Sequence, residues 1–314
     1  LYALARDYPA RGGKRFRPAL LLLATALAGG DPAQALPSAV ALEMFQNFAL
    51  VHDDIEDDSL LRRGKPALHR QHGVPLALNA GDVLFGLVYE VLLDNEALLG
   101  AQRALAVQRR FAQVFRRTFE GQAMDIGWVA RNHLPTRQEF EVMIRHKTGW
   151  YSGRGPCEIG GFIGGAGAAL LGLLGDFGER LGIGFQVRDD LLNLTADSAD
   201  LAPGVVSGGY GKERGGDIAE GKRTLIVIEL LERLDPAGQG RLREILIRPA
   251  AATTPDDIAW AIDQAQRCGA LEAVAAHCRA LGLQARAMLE ALPATPQRAL
   301  LQALTDYLVE SRTA

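Results

Sequence analysis

Residues 37–54, PSAVALEMFQNFALVHDD, decide the fold class. Their apolar side chains return every three or four positions, Pro37 and Ser38 open the segment, and nothing in it alternates. The spacing therefore predicts a helix that runs into a cluster of acids. The same periodicity fills most of the chain. RPALLLLATALAGG reads as a helix closed by Gly29 and Gly30, and VPLALNAGDVLFGLVYEVLL and AQRALAVQRRFAQVFRRTFEGQAMDIGWVA as two more. TRQEFEVMIRHKTGWYS begins at Thr136, with Glu139 in the capping-box position. GGFIGGAGAALLGLLGDFGERLGIGFQVRDDLLNL is rich in Gly yet apolar and helix-periodic; Gly weakens a helix, so its density predicts close helix packing rather than a linker. After a loop-like stretch, RTLIVIELLERL, TPDDIAWAIDQAQRCGALEAVAAHCRALGLQARAMLEAL and TPQRALLQALTDYLVE are helical again. The expectation is one all-α domain over residues 1–314, a bundle of ten or more helices.

Bulk properties narrow the class. A chain of 314 residues with 48% hydrophobic and 23% charged positions can bury a large core. A net charge of −3 without a basic block argues against nucleic acid as a partner. Cys157, Cys268 and Cys278 are odd in number and lack metal-ligand spacing, as expected of reduced thiols in the cytoplasm. No apolar run reaches spanning length without Gly or charge, so no transmembrane segment is expected. The start has no signal-peptide layout, and because it begins at Leu1 without Met we expect a few residues ahead of it.

The helix of residues 37–54 leads into LVHDDIEDDSLLRRGKP, residues 50–66, where Asp53, Asp54, Glu56, Asp57 and Asp58 precede Arg62 and Arg63. Alone, such a run suits a solvated helix end. A second knot in GFQVRDDLLNL changes the balance: Asp189 and Asp190, with Asn193 at the fourth-residue position. Positions i and i+4 share a helix face, so Asp53 aligns with Asp57 and Asp189 with Asn193. Facing carboxylates repel unless cations lie between them, and oxygen ligands without His or Cys select Mg²⁺. Cationic residues stand nearby in sequence motifs: Lys14, Arg15 and Arg17 in GGKRFRP, Arg62 and Arg63, Lys147 in HKTG, and Lys212 and Lys222 in YGKERGGDIAEGK. Carboxylates with Mg²⁺, ringed by Arg and Lys, suit a diphosphate.

Over essentially its whole length the sequence resembles the trans-isoprenyl diphosphate synthase (polyprenyl synthetase) family, through GGKRFRP, HDDIEDDSLLRRGKP, GQAMD, HKTG, FQVRDDLLNL and YGKERGGDIAEGKRT in matching order. The resemblance implies a bundle around a deep central cavity and head-to-tail condensation of isopentenyl diphosphate with allylic diphosphates. It implies metal ligands at Asp53, Asp54 and Asp57 and at Asp189 and Asp190, holding three Mg²⁺ ions once the allylic diphosphate is bound. Arg62, Lys147 and Lys212 would contact that diphosphate, with Lys222 among the substrate-binding cations. Lys14, Arg17, Gln46 and Arg63 would form the isopentenyl diphosphate site. Gln122 and Asp125 would support the metal shell, and Thr148 and Gln186 would face the allylic cation. A homodimer is implied as well, and the greasy product leaves peripheral membrane contact open.

Two departures from the family pattern stand out. Asn193 replaces a third Asp and is expected to be a weaker, neutral ligand; Asn here resembles some geranylgeranyl diphosphate synthases. The connection from Asn193 to Lys212 is long, with SADLAPGVVSGG as its excess, read as a surface insertion in preference to a lid. Chain length in the family is set beside the first motif. The small Ala49 four before Asp53, with Phe48 behind it and Phe45 a turn deeper, resembles enzymes that stop at twenty carbons. Geranylgeranyl diphosphate is the expected product, with farnesyl or longer products as alternatives. A class I terpene cyclase would not need Lys14, Arg17 and Arg63. A non-catalytic partner subunit would tend to lose the aspartates, and an HD-type phosphohydrolase needs His ligands that the histidines here do not supply.

Overall fold

The predicted helix at residues 37–54 extends from Leu36 to Glu56 in the computed structural model, which describes residues 1–195 and 214–311. Among them stand twelve α-helices of eight or more residues. They are α1 Phe16–Leu27, α2 Leu36–Glu56, α3 Val74–Leu93, α4 Ala101–Ala130, α5 Arg137–Ile144 and α6 Gly155–Ile163, then α7 Ala168–Thr195, α8 Leu225–Arg233, α9 Pro236–Ile247, α10 Pro255–Arg267, α11 Ala270–Glu290 and α12 Pro296–Asp306. Short helices Tyr2–Ala5, Asp7–Ala10, Leu68–His72, Asn95–Leu99 and Gly216–Ala219 fill connections. The sole sheet among the described residues is the antiparallel ribbon β1 Leu61–Arg62 with β2 Lys65–Pro66. The all-α expectation holds.

Local chemistry explains the boundaries. Thr136 and Glu139 form the predicted capping box at α5, and Thr254 with Asp257 forms another at α10. Two long segments read as continuous helix are divided. The Gly-rich one turns at Gly165 (φ +88°), between α6 and α7, and the later one turns at Gly269 (φ +74°), between α10 and α11. Left-handed backbone at a helix end is where Gly is least costly, and such a glycine looks in sequence like one in mid-helix.

Gly153, Gly160 and Gly178 do serve close packing. Gly153 and Gly178 lie backbone to backbone, so a Cβ on Gly178 would sit 2.5 Å from the Gly153 carbonyl carbon. A Cβ on Gly160 would overlap the Leu21 carbonyl of α1. One main core joins Phe16 and Leu20 to α7, α8 and α11, and a second, aromatic core joins α2, α3 and α4.

The segment after α5 departs from expectation in its winding. Arg145–Arg154 is π-helical, a wide winding frequent at functional sites. It lies between α4 and α7 and carries Lys147, Thr148 and Tyr151 to one cavity wall. Among the described residues one stretch, Val74–Leu99, is long and apolar enough to cross a membrane by length and composition, with 33% of its most apolar window buried. It nonetheless carries Asp82, which lies 3.4 Å from His52 on α2.

Candidate active site

A cavity of about 750 Å³ opens between α1, α2, α4, α7 and the π-helical segment. Its lining falls into three sectors: cations from the N-terminal segment and the β1–β2 turn, carboxylates from α2 and α7, and an apolar sector with Phe48, Ala49, Phe119 and Tyr151. The lining includes Asp53 and Glu56 from the first acidic motif and Asp189, Asp190 and Asp217 from the second half of the chain.

The carboxylates are held in place by amides and ammonium groups. Gln122 on α4 donates to Asp53 Oδ1 at 3.3 Å and to Glu56 Oε2 at 2.5 Å. Lys147 pairs with Asp125 and lies 3.8 Å from Asp53. Burial alone would lower the Lys147 pKa; Asp125 first, then Asp53 and Asp57, raise it overall. Lys222 Nζ sits 2.7 Å from Asp57, 2.7 Å from Glu220 and 3.6 Å from Asp217. Thr148 Oγ1 donates to Gln186 Oε1 at 3.4 Å, and Gln186 Nε2 donates to Asp190 Oδ1 at 2.9 Å. Burial, then the neighbouring Asp217 and Asp189, push Asp190 up to about 8 against that hydrogen bond. Burial also raises Asp57 and Glu56.

Carboxyls raised first by burial and then by neighbouring acids are favoured in their ionised form by an added cation, as a metal ion provides. Among the described residues no three His, Cys, Asp or Glu side chains converge on one point. Mg²⁺ keeps several waters and binds through one or two carboxylates plus substrate phosphate oxygens, and the lining carboxylates Asp53, Asp189, Asp190 and Asp217 fit such a group.

Three residues expected as metal ligands have partners within the protein. Asp54, expected as a metal ligand, is fully buried and off the cavity: Arg62 Nε lies 3.0 Å from each of its oxygens, Arg62 Nη2 also reaches Oδ1, and the Tyr8 hydroxyl donates to Oδ2. Its carboxylate fixes Arg62, whose own pKa it raises against burial. Asn193, expected as a weak third ligand, is 1% exposed and accepts the Asp217 amide at 3.2 Å, while its carbonyl accepts the Gly215 amide at 2.9 Å. It anchors the segment that brings Asp217 to the cavity. Asp57 stands behind the lining, held by Lys222. Lys212 and the 197–210 loop lie outside the described residues.

At the cationic sector, Arg63 and Gly64 both have positive φ (53° and 73°), as a two-residue type I′ hairpin turn requires. Arg17 donates to Ser152 Oγ at 2.9 Å and Tyr151 Oη at 3.0 Å and stacks on Phe16, Tyr151 and Phe185. The Gln46 side-chain oxygen is buried without a partner. Burial lowers the Arg63 pKa, and Arg62, Arg17 and Arg11 lower it further, against Glu43. Guanidiniums crowded until they weaken one another form a seat for an anion. Lys14 and Arg15 line the same sector, and so does Arg11, to which sequence reading gave no site role.

Asp217 is the acid that sequence reading missed. GGDIAEGK contained it, yet only its lysine drew notice. Phe45, Phe48 and Ala49 lie together on α2, but Phe48 and Ala49 line the cavity while Phe45 sits behind them.

The chain is similar to known proteins over most of its length. The family model described as polyprenyl synthetase matches residues 1–265. The short chain isoprenyl diphosphate synthase of Methanothermobacter thermautotrophicus is 36% identical over 301 residues, covering 95% of this chain and 86% of that protein. The crystal structure of geranylgeranyl pyrophosphate synthetase from Pyrococcus horikoshii Ot3 matches with a TM-score of 0.86 at 35% identity, covering 98% of this chain and 89% of that one. Geranylgeranyl pyrophosphate synthase from Corynebacterium glutamicum, complexed with isoprenyl diphosphate and magnesium, matches at 0.88 and 28% identity over 99% of this chain and 90% of that one.

Proposed function

The chain belongs to the polyprenyl synthetase family, and we propose that this prenyltransferase condenses isopentenyl diphosphate head-to-tail with allylic diphosphates to give geranylgeranyl diphosphate. The observation that carries the reading is one cavity that brings together a cationic sector, carboxylates paired with Lys147 and Lys222, and an aromatic sector.

Arg62 and Lys147, with Lys212, bind the allylic diphosphate, and Lys222 completes that ring. Lys14, Arg17, Gln46 and Arg63 bind isopentenyl diphosphate. Asp53 and Asp57 on one side and Asp189 and Asp190 on the other hold three Mg²⁺ ions, with Asp217 beside them; magnesium, when bound, neutralises the leaving diphosphate. Asp54 acts through Arg62. The Thr148 and Gln186 dipoles face the allylic cation, and the aromatic sector keeps water from it. The isopentenyl double bond then attacks that cation and, by family analogy, the proton leaves to the departing diphosphate.

Residues 1–314 form one domain in this reading, since α10 to α12 share the main core with α1 and α7. The free thiols of Cys157, Cys268 and Cys278 support a cytoplasmic location. A second copy would cover the exposed Leu76, Tyr89 and Leu93 of α3, giving twice the chain mass in sedimentation.

The deciding experiment is product analysis. Protein with Mg²⁺, labelled isopentenyl diphosphate and five-, ten- or fifteen-carbon primers should yield mainly the twenty-carbon diphosphate. Another single length would keep the prenyltransferase and discard the product. No condensation by folded protein would move the reading to a partner subunit or cyclase.

A further inference from the structure

Tyr8 belongs to none of the motifs, yet it is 0% exposed and meets Arg63 directly and Arg62 through Asp54. Its hydroxyl donates to Asp54 Oδ2 at 2.5 Å and accepts the Leu68 amide at 3.1 Å. Its backbone carbonyl accepts Arg63 Nη1 at 2.6 Å. Arg11 lies over its ring, 4.7 Å from the centroid, and donates to the carbonyls of Arg62 at 2.9 Å and Pro66 at 3.0 Å. The N-terminal segment thus braces the β1–β2 turn from behind.

We propose that Tyr8 is a positioning residue for both arginines: its hydroxyl sets Arg62 through Asp54, and its carbonyl sets Arg63. The proposal rests on the reading of these arginines as the contacts to the allylic and the isopentenyl diphosphate. Arg62 has two carboxylates within reach, Asp54 and, at 3.6 Å, Asp53. The Tyr8 hydrogen bond fixes Asp54 Oδ2 in the plane that holds Arg62 by its Nε and Nη2 edge. Without it, Oδ2 loses its second donor, the buried Leu68 N–H loses its acceptor, and the guanidinium is free to swing toward Asp53. The Arg63 arm runs through a backbone atom, so a side-chain change leaves it in place. The two arms are therefore separable.

The test measures binding of two ligands to the full chain by calorimetry: a thiolodiphosphate analogue of the fifteen-carbon primer with Mg²⁺, and isopentenyl diphosphate alone. Tyr8→Phe should weaken the allylic analogue about tenfold while isopentenyl diphosphate changes less than about twofold. Asp54→Asn should show the same selective loss, and the double variant should be no weaker than Asp54→Asn by more than about twofold, because both act through one guanidinium. Equal weakening of both ligands, with a lowered Tm, would mean a merely structural tyrosine and overturn the proposal. Additive losses in the double variant would overturn it too. Wild-type protein that binds neither diphosphate would overturn the functional reading and this inference with it. Wild-type binding with unaffected variants overturns this inference alone.

Discussion

Asp190 shows how far a single residue can be read. Burial, then Asp217 and Asp189, raise its pKa to about 8. The folded protein therefore holds this proton more tightly than the unfolded chain, whose Asp titrates near 4. Its contribution is fully present below that lower value and is lost as pH rises toward 8. Metal-free protein in EDTA should accordingly show Tm falling from about pH 5 to pH 8, and Asp190→Asn should flatten that slope. Millimolar Mg²⁺ should restore Tm at pH 8, since the cation takes the ionised form; a slope unchanged in Asp190→Asn would assign it to other acids. The sequence exposes Asp190 because it stands next to Asp189 in a helix-periodic run. It hides Tyr8, whose partner Asp54 lies far along the chain, and Asp217, which stands in no repeated acidic pattern and reaches the cavity through Asn193. It also misleads at Asp54, since adjacent aspartates look alike in sequence while a helix turns them to different faces.

At the scale of elements, helix identity was legible and winding was not. The capping box at Thr136 and Glu139 announces where α5 begins, but nothing in HKTGWYSGR distinguishes a π turn from an α turn. The cause is tertiary: Gly149 and Gly153 let the wide segment settle against Gly178 and Gly182 of α7. Glycines of one helix should then differ sharply in role. Gly178→Ala would drive a methyl into the Gly153 carbonyl and should cost about 2–3 kcal/mol, read by urea unfolding. Gly172→Ala, six residues earlier on the exposed side of α7 with nothing within 4 Å, should stabilise by about 0.5–1 kcal/mol through helix propensity. If both substitutions destabilise alike, the glycines serve flexibility and the close-packing account fails.

For the whole molecule, the aromatic sector is a property that no single element possesses. Phe48 of α2 faces the cavity and stacks on Phe85 of α3 at 4.8 Å, and Phe119 of α4 joins it at 5.9 Å. Phe45 lies one layer back, 5.6 Å from Phe48 and 4.4 Å from Phe115, and does not line the cavity. The sequence could place Phe48 and Phe45 beside the first acidic motif, because spacing along one helix suffices for that. It could not supply Phe119 on that wall or Phe85 against Phe48, since only packing of three helices brings them together. The two layers make a graded prediction. Phe48→Ala removes a ring from the wall, the surroundings relax only partly, and the space left should admit about one more five-carbon unit before Phe85 and Phe45 stop it. Phe45→Ala should leave product length unchanged while Phe48 stands and should lower stability by about 3–5 kcal/mol, the cost of an emptied aromatic site. Chromatography of products from the fifteen-carbon primer separates these outcomes. Longer product from Phe45→Ala with none from Phe48→Ala would put the floor on the wrong side of α2, and the growing chain would then have to run between α2 and the π-helical segment, past Tyr151.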